Sequence, residues 1–318
     1  MADYLNVKGL NTIFDTTPNN ELQDNIVEFF DWALLEKGNF FNIKKGLQSS
    51  RGQDYSELKT STNNNFPAGK AWEGFRKNWV WQSGVSYTPY PLVGTDSDYP
   101  GVSGVYVDDT FYPRDTTGTY AHNIDHFNGR VVFDNPIPTG SNVQAEFSYR
   151  YINVIYAQNV PFIRELQANT LDRTNTSTVI LPPEMRVQLP AIAVEVIPRR
   201  TLKGYQLGGG QYVYTDVLFH CLAEDSYTRN KLVDIVSLQN DKTILTFDSN
   251  SLATANKFPR DGFGFLNPNA LRYPDMIEDY HEFKLTFQNM VVQNMDTINT
   301  NFYAGIVRTT TEIIKTDV

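Results

Sequence analysis

Ala191-Ile-Ala-Val-Glu-Val-Ile197, then Lys203-Gly-Tyr-Gln-Leu-Gly-Gly-Gly210, then Tyr212-Val-Tyr-Thr-Asp-Val-Leu-Phe-His-Cys-Leu222 read as a mostly buried strand, a flexible turn and a long returning strand. The β-branched and aromatic residues suit a pleated surface, and the run of glycines supplies the turn. Downstream, Asp225-Ser226 caps a helix carrying Leu232, Val233, Ile235 and Val236, and Thr243-Ile-Leu-Thr-Phe247 is another strand. Strand, strand, helix, strand is an α+β layer. Beyond a Pro/Gly/Asn-rich loop at about 257–275, Tyr280–Phe287 and Tyr303–Ile314 alternate again and are expected to complete the sheet.

Upstream, Leu22, Ile26, Phe29, Phe30, Ala33 and Leu34 form the apolar stripe of an amphipathic helix expected over 18–37. Thr17-Pro18 suits its N-cap and first turn, and Gly38 its C′ position. Residues 46–71 are polar and aperiodic and read as a loop or linker. From Trp72 to about 160 the pattern becomes short alternating runs: Trp79–Trp81, Val105–Val107, Arg130–Phe133, Val143–Tyr149 and Tyr151–Tyr156. Turn signals at Pro100-Gly101, Asn128-Gly129 and Thr139-Gly140-Ser141 separate them, predicting an antiparallel β module of small sandwich type. The expected order is therefore an N-terminal helix within 1–45, the linker, the β module at 72–160, a connector at 161–179 and an α+β unit at 180–318. No internal repeat is present.

Composition limits the function. Lys+Arg 27 against Asp+Glu 36 leaves a charge of −9, so there is no basic footprint for wrapping a duplex. Hydrophobic residues at 41% and charged residues at 20% exclude wholesale disorder. The single cysteine, Cys221, excludes an internal disulfide and a thiolate metal cluster, leaving packing and association as sources of stability. The N-terminus has no basic segment followed by an apolar run, and no stretch approaches about 18 apolar residues, so a soluble, unexported chain is expected.

The motifs that carry chemistry elsewhere lack their context here. His122 and His126 have the i, i+4 spacing of a helical zinc pair, but Tyr120–Ile124 alternates and runs into a turn, which places them in strand and turn. Asp108-Asp109 and Asp96/Asp98 read as turn residues rather than calcium or acid–base pairs. Gly208-Gly209-Gly210 joins two strands and lacks the order and lysine of a phosphate loop. Cys221 and His220 are adjacent on a strand and so point to opposite faces, which separates them as a catalytic pair. No cofactor site is expected. Trp72, Trp79, Trp81, Tyr87 and Tyr90 are the residues that a carbohydrate-binding β-sandwich would use for stacking, although aromatics at strand spacing more often fill a core.

The segment from Pro190 through Val236, with its strand, hairpin, long strand and acidic-capped helix, resembles the tail-terminator and tail-completion proteins of tailed bacteriophages. Asn128-Gly-Arg-Val-Val-Phe-Asp-Asn-Pro-Ile-Pro-Thr-Gly-Ser-Asn-Val-Gln-Ala-Glu-Phe-Ser-Tyr149 is similar to a hairpin recurrent in phage tail, neck and baseplate proteins. The resemblance implies a mixed sheet flanked by helices into which the β module is inserted, a departure from the minimal terminator. It also implies a non-enzymatic virion protein: a hexameric ring that caps the tail and joins it to the head connector. The partners would be other copies of the chain and neck, sheath or tube proteins, with DNA only as passing cargo and no membrane. Interface candidates are Leu207, Gly208, Gly209, Gly210 and Gln211 at the hairpin turn, with Arg199 and Arg200 leading into it. A baseplate or collar position is the alternative within virions.

Overall fold

The computed structural model describes residues 18–48, 52–81, 102–157, 187–206, 209–258, 267, 270–271, 273–299 and 302–315. It is an α+β structure, mostly sheet. Helix α1 (Pro18–Glu36) forms where the apolar stripe requires it. It stops at Gly38, which adopts φ +91° while its N–H donates to Leu35 O at 2.9 Å. A residue without Cβ takes this left-handed turn at no steric cost. The proposed cap residue Thr17 lies outside the described residues.

Strands β1 (Phe40–Ile43), β2 (Lys59–Thr60), β3 (Ala71–Glu73), β4 (Gly104–Val107), β5 (Thr110–Pro113), β6 (His122–Asp125), β7 (Arg130–Phe133), β8 (Val143–Ala145) and β9 (Phe147–Arg150) make three small sheets. Their orders are β2-β3-β7-β6, β5-β4-β8 and β1-β9. They close around one apolar cluster that includes Ile43, Leu58, Trp72, Trp79, Val131, Phe133 and Phe147. Each such side chain removed from water contributes about 1.5–3 kcal/mol. Residues 46–71 are thus not all linker: Leu58 is buried and Lys59–Thr60 pairs with Trp72–Glu73. The single run expected at Val143–Tyr149 breaks at Glu146, sending β8 to β4 and β9 to β1. A strand that changes sheets at a corner does so through such a bend. Trp79 makes one bridge to Tyr149 rather than a strand.

The larger sheet holds β10 (Asn153–Tyr156), β11 (Ala191–Gln206), β12 (Gly209–Ala223), β13 (Thr243–Phe247), β14 (His281–Asn299) and β15 (Phe302–Lys315) in the order β10-β11-β12-β15-β14-β13. All its pairs are antiparallel except β10 with β11. Alternation had placed β10 in the small module. Its side-chain and backbone bonds decide otherwise, since Asn153 N–H donates to Pro190 O at 3.0 Å and Nδ2 to Gln188 O at 2.7 Å.

Helices α1, α2 (Ser226–Ser237), α3 (Ser249–Thr254) and α4 (Tyr273–Asp279) contribute to one core with Val217, Phe219, Cys221 and Ala223 of β12. Phe30 packs on Phe219 at 5.2 Å, and Phe29 meets Tyr273 edge-on at 5.6 Å. Asp225 caps α2 by accepting from Thr228 N–H at 2.8 Å, as the sequence indicates. The two cores meet where β1 pairs with β9, Phe40 opposite Arg150. There Asn39 donates to Ile152 O at 2.9 Å and accepts from Ile152 N–H at 2.8 Å.

Candidate functional site

The β11–β12 hairpin positions the interface candidates. Its ladder runs from Ala191↔Leu222 to Val196↔Val217 and resumes at Arg200↔Thr215. Ile197, Pro198 and Arg199 therefore stand against Asp216 alone, which is a bulge. Proline has no N–H to give a ladder and is tolerated at such a place. Arg199 is exposed there. Arg200 turns back to α1, donating to Asn19 Oδ1 at 2.6 Å, and its partial burial pulls its pKa below the ordinary value. Beyond the bulge Thr201 to Tyr205 are all exposed, although successive side chains of a strand alternate between faces. This half of the hairpin is thus open on both faces along β11.

Gly210 adopts φ +83° near the tip, and Gln211 faces Gly204 on one side and Lys315 on the other. Leu207 and Gly208 lie outside the described residues, and Gly209 begins β12. The structure brings Arg199 and Arg200 to the bulge and Gly209 to Gln211 to the tip, two separate stations along one hairpin.

Sequence reading missed the side chains that dress the face turned away from the helices. Tyr205 meets Tyr212 at 5.1 Å, and Tyr212 stacks on Tyr214 at 6.0 Å. The Lys203 ammonium lies 5.0 Å from the Tyr214 ring. The Tyr214 phenol donates to the Glu312 carboxylate, which raises its pKa. Further along, Arg308 pairs with Asp216 at 2.6 Å, Thr310 donates to the same carboxylate at 2.9 Å, and His220 lies 2.7 Å from Glu195. The period-two tyrosines of Tyr212-Val-Tyr214 were the available signal, but the cross-strand partners are up to about a hundred residues away in sequence.

His122 lies in β6, its Nδ1 2.8 Å from Tyr120 O, which makes Nδ1 the donor, and burial lowers its pKa. His126 lies in the following turn and is buried. Among the described residues no group of three or more His, Cys, Asp and Glu is placed to hold a metal ion. Asp108 and Asp109 form the two-residue turn between β4 and β5 with φ +48° and +66°. Both positive values define the turn type that matches strand twist. Asp96 and Asp98 lie outside the described residues. Cys221 faces the core, where burial pushes its thiol up to about 12, while His220 faces away from it. Trp72 and Trp79 are core residues, Trp79 stacked on Phe147 at 4.2 Å. Trp81 is half-buried, and Tyr87 and Tyr90 lie outside the described residues.

No family model and no curated protein matches the chain. Among the described residues no helix is long and apolar enough to cross a membrane.

Proposed function

We propose that the chain is a non-enzymatic structural protein of a tailed-phage virion, a neck or tail-terminator subunit that forms a hexameric ring with copies of itself and joins the tail to the head connector. The observation that carries this reading is the construction of the larger sheet. Two long hairpins, β11–β12 and β14–β15, extend past the short outer strands β10 and β13. The β11 arm of the first hairpin is exposed from Thr201 to Tyr205, including Leu202, as a segment kept for a neighbour would be. The terminator-like fold is part of the same proposal: one long hairpin, an acidic-capped helix and a first helix packed on the same sheet face. The charge of −9 suits a lumen through which DNA moves without being gripped.

The carbohydrate-binding alternative loses two of its stacking residues, because Trp72 and Trp79 are packed inside the small module. A sugar cannot stack on a ring that is already covered on both faces.

Light scattering on the purified full chain, with negative-stain imaging alone and after mixing with tail tubes, tests the proposal. Rings, free or seated on tube ends, are expected. A monomer at all concentrations, with no rings on tubes, overturns it.

A further inference from the structure

The outer strands of the larger sheet are shorter than the strands they flank. β10 covers β11 only from Ala191 to Val194, and β13 covers β14 only from His281 to Thr286. Past those points, β11 from Arg200 to Gln206 and β14 from Val291 to Asn299 have a strand on one side only among the described residues. Unpaired backbone N–H and C=O groups along such an edge form a template for another strand.

Each free stretch also carries apolar side chains in water: Leu202 and Tyr205 on β11, at 55% and 37% exposure, and Val291 and Val292 on β14, at 56% and 43%. Isolated surface hydrophobes are ordinary, and Phe41, Tyr227 and Leu238 are exposed elsewhere, but these two pairs coincide with the unpaired backbone of the edges.

Direction and charge select the occupant. Three antiparallel steps, β11 to β12 to β15 to β14, make β11 and β14 antiparallel within the chain. A second copy in the same orientation therefore presents its β14 antiparallel to the first copy's β11, with no inversion. From Ile197 to Gln206 the sequence has Arg199, Arg200 and Lys203 and no acid. From Gln288 to Asn299 its only ionisable residue is the acid Asp296. Two β11 edges facing each other would oppose like charges, whereas β11 against β14 opposes none.

We infer that copies of this chain join head to tail by adding the free stretch of β14 of one copy to the free stretch of β11 of the next, extending the sheet across the contact. This deepens the ring-forming reading and rests on it. The register shifts of β14 at Gln288/Val291, Val292/Asn294 and Thr297/Asn299 break its edge into short runs, of which Val291–Val292 carries the exposed apolar side chains that anchor the contact. The two free stretches lie at opposite ends of the sheet, so neighbouring copies are offset along their strands. A contact between two different patches closes into a ring when its rotation does, and otherwise makes an open filament.

The test uses the buried Cys221 as a silent background. Leu202→Cys and Val291→Cys are introduced singly and together in the full chain, oxidised with dissolved oxygen and a copper catalyst, and run on non-reducing gels. The double variant is expected to give a ladder of covalent multimers, and each single variant to stay at monomer mass. Val291→Lys with Val292→Lys should shift light scattering from oligomer to monomer with an unchanged circular dichroism spectrum. Rings without a ladder would overturn the edge contact and leave the ring reading standing. A covalent dimer from Leu202→Cys alone would assign a two-fold β11 contact instead. Monomers throughout would remove both.

Discussion

The side chain of Asn25 holds both backbone groups of Phe247: Nδ2 donates to Phe247 O at 3.0 Å, and Oδ1 accepts from Phe247 N–H at 2.7 Å. A helix residue thus does for β13 what a further strand would do, and closes the covered end of the sheet's edge. Both partners are buried. Replacing Asn25 by Leu leaves two buried backbone groups unpaired, at about 1–3 kcal/mol each. Urea unfolding should therefore show a loss of about 2–5 kcal/mol. A loss below about 1 kcal/mol would mean that water replaces the amide freely.

Asp24, one residue earlier, faces the junction of α1, β10 and α3. Burial raises its pKa from 3.8 to about 6; hydrogen bonds from Tyr156 and Ser249 pull the other way, and Glu21 adds to the rise. Between these two values the folded protein keeps a proton that the unfolded chain has released. This group's contribution to stability is full below the lower value and falls as pH rises to about 6. At about 1.4 kcal/mol per unit the fall is on the order of 2–3 kcal/mol. Asp24→Asn should flatten that part of the stability–pH curve and be the more stable protein at pH 7. Parallel curves for the two proteins would refute the assignment.

Gly129 sits in the turn between β6 and β7 at φ +63°, and a Cβ there would lie 2.2 Å from Arg76 O and 2.8 Å from Lys77 Cα. Both obstacles are backbone. Gly129→Ala should therefore cost well over the ~1–2 kcal/mol of left-handed strain alone. Gly38→Ala, at φ +91° with nothing within 4 Å, should cost only that strain. Thermal melts of the two variants give the comparison; equal shifts would contradict the contact at Gly129.

What could be read from sequence followed local rules. Helix α1, the capped helix α2, the strands β7, β12, β13 and β15, the first half of β11, and the Asn128-Gly129 and Asp108-Asp109 turns each follow from periodicity, a cap or turn chemistry within a few residues; Lys203 to Gln206, expected in the turn, instead continue β11 against β12. What was illegible depends on partners far away. The parallel pairing of β10 with β11 is fixed by Asn153 and Gln188. The split at Glu146 depends on β4 and β1, and Leu58 finds its cluster across the fold. The interface candidates were drawn from the hairpin turn because glycine marks a turn. The free edges were missed because an edge is defined by which strands stop short, and alternation within one strand carries no record of its neighbours' lengths.

Asn39 and Ile152 bond to each other on both sides, and Phe40 stands opposite Arg150. The chain therefore leaves for the small module at Asn39 and comes back at Ile152 beside it, and Arg76, Lys77 and Asn78 tie the module a second time, to Leu189, Gln188 and Asn153. Ends that lie side by side let a module be set into a fold without stretching the elements that flank it.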